Sequence, residues 1–221
     1  MAFEDYDELE QGEQVRKWIK ENGLAVVAGV VIALLLIFGY RQWQAHKNTV
    51  EVQAASQFAV LQNAIQAGDT QAMGAALGNL QKNYSGTAYA AFASAAVADY
   101  DVGKNELKPA ATNLEWAVAH SGQPALQALF SLRLARVLLA QGHAQQALTS
   151  LDKVPAGDFT AIVEELRGDA LLKLGKIDAA RTAYQSALAK LDKGSPGRDF
   201  VQMKLENLTQ PQAAPTGKQA Q

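Results

Sequence analysis

Three histidines, His46, His120 and His143, are the side chains best suited by type to proton transfer or metal ligation near neutral pH. Their separations along the chain match no metal-ligand spacing. His120 closes a predicted helix, where an imidazolium would face the negative pole of the helix dipole, and His143 follows a turn glycine, so capping or exposure accounts for both. Glu164-Glu165 and Asp99/Asp101 are carboxylate pairs of the kind any solvated helix carries. The chain has no cysteine, which removes thiol nucleophiles, disulfides and cysteine-held metals together. No glycine-rich phosphate loop follows a strand, because no stretch alternates like a strand. This inventory points to no enzyme, no cofactor and no metal.

The remaining chemistry is that of surfaces, and the elements decide which side chains reach one. Of 221 residues, 48% are hydrophobic and 19% charged, a balance that folds and that exceeds what disorder tolerates. The net charge of −2 is unevenly spread: residues 1–22 hold seven acidic and three basic side chains, whereas residues 44–221 are almost balanced. A nearly neutral main domain without a basic stripe offers nothing for counterion release, so nucleic acid is not an expected partner.

Between Glu21 and Arg41 lie nineteen consecutive uncharged residues, Asn22 to Tyr40. As a helix they span about 28 Å, close to the ~30 Å hydrocarbon core of a bilayer. Eleven of them, Leu24 to Phe38 with alanine and glycine interspersed, are large and apolar, each favouring insertion by roughly 0.3–0.6 kcal/mol, with no opposing charge. Trp18 precedes the run and Tyr40 and Trp43 follow it, where amphipathic rings sit at the two interfaces of the lipid bilayer. The run is longer than the apolar core of a cleavable signal, no small-residue cleavage site follows, and the leading segment is acidic, so an uncleaved transmembrane helix is predicted. Arg16, Lys17 and Lys20 outnumber Arg41 and Lys47 across it, which places the N-terminus in the cytoplasm. Ala25, Gly29 and Ala33 recur every fourth residue and form a small-residue stripe on which another membrane helix could pack, as homodimer or heteromer.

Beyond the anchor, predicted helices of 12–18 residues alternate with short Gly, Asp, Asn or Pro turns. An internal repeat sits in them: Leu132–Gly142 aligns with Glu165–Gly175 at an offset of 33 residues, which also carries Ala147 onto Ala180, Leu151 onto Tyr184 and Val154 onto Ala187. Each unit has a physical logic. Ala135 or Gly168 lets the first helix approach its partner, Gly142 or Gly175 ends it, and Ala147 or Ala180 keeps the gap to the returning helix narrow. These residues resemble the tetratricopeptide repeat. Weaker echoes give a hairpin of Phe92–Tyr100 with Pro109–His120, turning at Gly103, and one of Ala54–Ala67 with Thr70–Tyr84. Asp199–Leu208, with Val201, Leu205 and Leu208 on one side, is a predicted capping helix. The fold class is therefore all-α: one N-terminal transmembrane helix followed by tetratricopeptide-like hairpin repeats, an α-solenoid. The segments are a cytoplasmic tail at 1–22, the membrane helix at 23–40, the repeat domain at 41–208 and a disordered tail at 209–221.

Stacked hairpins present their first helices on a concave side suited to an extended peptide or a partner's helix. That side is expected to carry Leu129, Leu132, Arg136 and Leu139 from the third unit and Glu165, Asp169 and Leu172 from the fourth. The leucines have an alternative place in the core between units, which helical spacing alone does not separate from the open face.

The tail Tyr6-Asp7-Glu8-Leu9-Glu10-Gln11-Gly12-Glu13-Gln14, the following Val15-Arg16-Lys17-Trp18-Ile19-Lys20-Glu21-Asn22-Gly23, the anchor and the divergent repeats together resemble the YfgM family of ancillary Sec-translocon subunits. The resemblance implies a bacterial inner-membrane protein with its repeats in the periplasm, beside Sec translocon subunits and a PpiD-type membrane-anchored prolyl isomerase, assisting the folding or trafficking of exported polypeptides. A scaffold that recruits one defined partner in envelope assembly, without touching exported chains, is the competing reading.

Overall fold

Alternation of alanine-rich helices with turn residues at intervals of a dozen or so positions produces the observed architecture. The structure, a computed structural model, describes residues 4–208, with side chains from Val15 onward. The disordered tail expected at 209–221 lies outside the described residues. Among the described residues every element is an α-helix: α1 Glu4–Ala67, α2 Thr70–Asn83, α3 Ala88–Gly103, α4 Leu107–His120, α5 Pro124–Ala140, α6 Ala144–Leu151, α7 Thr160–Lys173, α8 Ile177–Lys190 and α9 Pro196–Asn207. The chain divides at Val50/Glu51 into two compact units, the boundary falling within α1.

In the first unit the apolar run is uncovered. No side chain from Leu24 to Phe38 is buried by protein, and α1 holds one stretch long and apolar enough to cross a membrane. Tyr40 and Trp43 lie one turn apart, ring centroids 6.1 Å from each other, with the Lys47 ammonium 4.8 Å from the Trp43 ring. The stripe of Ala25, Gly29 and Ala33 is exposed, and nothing lies within 4 Å of where a Cβ on Gly29 would stand.

The second unit is four helical hairpins in chain order, α1–α2, α3–α4, α5–α6 and α7–α8, closed by α9. Ala54, Leu61 and Ala64 of α1 meet Met73, Ala76 and Leu80 of α2 and Ala90, Ala93 and Val97 of α3. The opposite side of α3, Ala91, Ala95 and Ala98, meets Ala110, Leu114 and Ala117 of α4. A helix clasped on both sides has no room for long side chains, which is why α3 is built largely of alanine. The same core continues through Phe130, Leu134 and Leu138 of α5, Ala147 and Leu151 of α6, and Val163, Leu166 and Ala170 of α7. A smaller cluster of Ala180, Tyr184, Ala187 and Leu188 of α8 with Val201 of α9 ends the array.

The 33-residue offset is visible in the packing. Ala135 and Gly168 are buried, Ala147 and Ala180 are fully buried, and so are Leu151 and Tyr184. Gly142 and Gly175 both follow first helices and take φ of 82° and 73°, the left-handed conformation that favours glycine. The turn of the second hairpin differs from the expectation. Gly103 is the last residue of α3, and Asn105 supplies the positive φ, 59°. Asparagine tolerates that region better than other side-chain-bearing residues, so the turn forms without a glycine at that position.

Candidate protein-binding surface

The first-helix residues expected to form a binding surface separate into two groups. Leu132 and Leu139 are 2% and 6% exposed and belong to the core. They are corrected from the open side to the interior, because α5 packs on neighbouring hairpins as well as on α6, and a leucine spacing of seven keeps both on a covered stripe. Leu129 is half-buried, Arg136 is exposed and Leu172 is 39% exposed. Glu165 and Asp169 are half-buried and one turn apart on α7.

These two carboxylates already hold a cation. Lys204 of α9 places its Nζ 2.8 Å from Glu165 Oε1 and 2.8 Å from Asp169 Oδ2, with all three side chains mostly shielded from water. Tyr184 of α8 donates its hydroxyl to Asp169 Oδ1 at 2.7 Å. Burial first, then this hydrogen bond and the negative charges of Asp169 and Glu165, push the Tyr184 phenol well above its ordinary range, so it stays protonated as the donor. Gly168 is the complement of that ring: a Cβ there would lie 2.5 Å from Tyr184 Cδ1 and 2.9 Å from Cζ, closer than packed carbons approach. Arg198 of α9 donates from Nη1 to the carbonyls of Leu188 and Leu191 at 2.7 and 3.0 Å, satisfying groups that the end of α8 leaves without helical partners. The capping helix is therefore fastened to α7 through a shared cation and to α8 through its end.

Farther up the array the first helices are joined by charge as well. Asp99 of α3 accepts from Arg133 of α5 at 2.9 Å. Phe92 of α3, 37% exposed, meets the buried Phe130 of α5 edge to face at 5.8 Å. Asp101 is buried and accepts from Asn113 Nδ2 at 3.0 Å. Burial raises its carboxyl above the ordinary range, the hydrogen bond partly offsets this, and Glu106 adds to it. Neither carboxylate pair seen in the sequence converges: Glu164 pairs with Arg167, Glu165 with Lys204, Asp99 with Arg133 and Asp101 with Asn113.

The histidines lie apart. His120 Nδ1 donates to the Trp116 carbonyl at 2.9 Å and its ring stacks on the indole with centroids 3.9 Å apart, a local role at the end of α4. His46 and His143 are exposed. Among the described residues no group of three His, Asp or Glu gathers as a metal site.

Sequence reasoning passed over Lys204 and Phe92. The signal for Lys204 was present: it flanks the apolar face Val201, Leu205, Leu208 of the capping helix, and two acids spaced four apart on α7 need a cation once a helix covers them. Phe92 carries no such signal, because only the packing of α3 shows which of its residues stay open.

Comparison with known proteins agrees with this architecture. Residues 16–210 match the family described as "Tetratricopeptide repeat-like domain". A protein of Escherichia coli (strain K12) named "Ancillary SecYEG translocon subunit" is 33% identical over 92% of this chain and 97% of its own. Proteins of that name from Haemophilus influenzae and Neisseria gonorrhoeae are 31% and 30% identical, over 94% and 91% of this chain and 100% and 97% of theirs. With anchor, repeats and capping helix all inside one continuous match, the chain belongs to the family of ancillary SecYEG translocon subunits carrying a tetratricopeptide repeat-like domain.

Proposed function

We propose that this chain is a single-pass inner-membrane protein that sits beside the Sec translocon and acts by binding rather than by catalysis, holding exported polypeptides while they fold or move on. The observation that carries the reading is the near full-length match to relatives named as SecYEG translocon subunits. The basic residues Arg16, Lys17 and Lys20 favour a cytoplasmic N-terminus and hence a periplasmic repeat domain. Client holding is supported by apolar side chains left open on the first helices, Phe92 and Leu172, and nearby by Ile177. A PpiD-type prolyl isomerase is a proposed neighbour, reached through the family resemblance.

A second reading, an adaptor for one defined partner, has its own support. Leu132 and Leu139 are buried, which removes two apolar residues from a client-holding surface, while Arg136 is exposed and Arg133 of α5 pairs with Asp99 of α3. Two experiments test the proposal. Because the natural sequence has no cysteine, single cysteines at Gln14 and Thr149 can be labelled with a membrane-impermeant maleimide; labelling of Thr149→Cys alone from the periplasmic side is expected, and labelling of Gln14→Cys alone reverses the orientation. In membranes depleted of the chain, an exported reporter should gain protease resistance more slowly, and the full chain should restore the rate. Unchanged reporter folding would leave the adaptor reading in place and remove the client-holding one.

A further inference from the structure

The second helices do not cover the array evenly. α6 has eight residues where α4 and α8 each have fourteen, and α5, along which it returns, has seventeen. Ser150 donates from Oγ to the Ser131 carbonyl at 3.2 Å, so α6 ends level with the middle of α5. The N-terminal half of α5 is left without a return helix from its own hairpin. Between α4, α5 and α6 this leaves a groove of about 510 Å³. Gln127, Leu134 and Leu138 of α5 form its floor, Glu115 stands on the α4 wall, and Thr149 and Lys153 stand on the wall made by α6 and the residues just past its end. A hollow of about 280 Å³ at the α4–α5 turn shares Val118, Ala119 and Gln127 with the groove and lengthens it.

The polar groups of this groove are not used by the fold. Neither Glu115 nor Lys153 has an ionic partner among the described residues, and the side-chain amide of Gln127 has no hydrogen-bond partner there. The Ser131 hydroxyl, buried where α6 stops, is also left without one. From Gln127 to Leu138 the floor rises about 16 Å along α5, which accommodates about five residues of extended chain. Successive side chains of such a segment point to opposite sides. Lying along the floor, it sends one set toward Glu115 and the next toward Lys153, while Gln127, which both donates and accepts, meets its peptide groups. We propose that the groove seats an extended segment of a partner protein bearing one basic and one acidic side chain, the basic one toward Glu115 and the acidic one toward Lys153. The proposal goes beyond the function above and does not depend on it, because it places a second ligand on the second helices, away from the apolar side chains of the first helices. Two walls of opposite charge disfavour segments of uniform charge, whichever the sign, and so favour one defined partner over a mixed population of chains.

The test uses the full chain in phosphatidylcholine nanodiscs and fluorescein-labelled synthetic peptides of a dozen residues on a Gln/Ser background. One peptide carries a lysine and a glutamate three positions apart, so that they point to opposite sides; the second carries two lysines at those positions and the third two glutamates. Fluorescence anisotropy at low ionic strength should show the mixed peptide binding about fivefold more tightly than either like-charged one, a preference that shrinks at high salt. Glu115 and Lys153 are exposed, so reversing either charge leaves the core intact. Glu115→Lys should transfer the preference to the two-glutamate peptide, and Lys153→Glu should transfer it to the two-lysine peptide. Thr149→Trp, which places a large ring over the groove from an exposed position, should abolish binding of all three. Equal binding of the three peptides by the natural chain overturns the proposal, as does a preference that charge reversal fails to transfer, or no binding of any peptide. If binding survives Thr149→Trp and is lost in Phe92→Ser, the peptides sit on the first helices and the groove fails. None of these failures touches the client-holding reading, which the reporter-folding experiment decides separately.

Discussion

Replacing Gly168 by alanine puts one methyl group where the ring of Tyr184 already is. The ring has little freedom to retreat: Tyr184 is fully buried and its hydroxyl is held 2.7 Å from Asp169 Oδ1, itself bound to Lys204. A Cβ 2.5–2.9 Å from ring carbons must displace the ring, the helix or both. Overpacking of this kind costs about 1–3 kcal/mol. Alanine gains about 1 kcal/mol over glycine in a helix interior, which offsets part of it. Gly168→Ala is therefore expected to destabilise the α7–α8 hairpin by up to about 2 kcal/mol, against the usual direction of a glycine-to-alanine change in a helix. The preceding repeat shows the remedy, since it pairs Ala135 with Leu151 at the equivalent positions. In a Tyr184→Leu background the clash is gone, and Gly168→Ala should be neutral or stabilising by up to about 1 kcal/mol, giving a coupling of roughly 2 kcal/mol. Stacked hairpins do not unfold as a single unit, so the readout is hydrogen–deuterium exchange of α7 and α8 amides in the full chain in detergent micelles, where about 1.4 kcal/mol appears as a tenfold change in rate. Equal or slower exchange in Gly168→Ala alone, or the same acceleration in the Tyr184→Leu background, would refute the reasoning.

Three further outcomes follow from the same end of the array and from α3. Lys204→Met keeps the aliphatic stem but leaves the Glu165 and Asp169 carboxylates shielded from water without their cation; α9 amides should exchange faster by an amount corresponding to roughly 1–3 kcal/mol, and unchanged exchange would mean that Val201 and its apolar neighbours alone hold the helix. Tyr184 binds its proton more tightly folded than unfolded, so its contribution is complete below the ordinary phenol value of 10.0 and is lost as pH rises beyond it; Tyr184→Phe should flatten the alkaline fall in melting temperature, and an unchanged alkaline limb contradicts this. Asp101 likewise has a raised folded pKa, so its stabilising contribution exists at acid pH and is lost as pH rises through that raised value; Asp101→Asn, which keeps an acceptor for Asn113, should raise the melting temperature at neutral pH and not in acid, whereas a fall at neutral pH would contradict the assignment.

Which parts of this architecture could be read from residues alone depends on whether the determinant is local. Gly142 and Gly175, Ala147 and Ala180, and Leu151 and Tyr184 are spaced by backbone and packing demands that recur within each hairpin, so the repeat register and the buried small residues emerged directly. The second turn was misplaced by two residues because a helix can run through Gly103 while Asn105 carries the left-handed conformation. Assigning Leu132 and Leu139 to an open face failed for a different reason: periodicity marks an apolar stripe but not how many neighbours cover it, and α5 is covered by more than its own partner. Glu165 and Asp169, read from the sequence as part of a partner-binding face, take Lys204 of α9 in the same chain, a contact 35 or more residues distant that no local pattern encodes.

Site-specific photo-crosslinking in native membranes, during export of an arrested reporter chain, joins these strands most directly. Probes replace Ala25, Gly29 and Ala33 in the membrane helix and the exposed Phe92 and Leu172 in the repeat domain. Translocon subunits captured by the anchor probes together with the reporter captured by the repeat-domain probes is the predicted result; capture of one defined envelope protein by the repeat-domain probes, with no reporter, would contradict it and make the chain an adaptor.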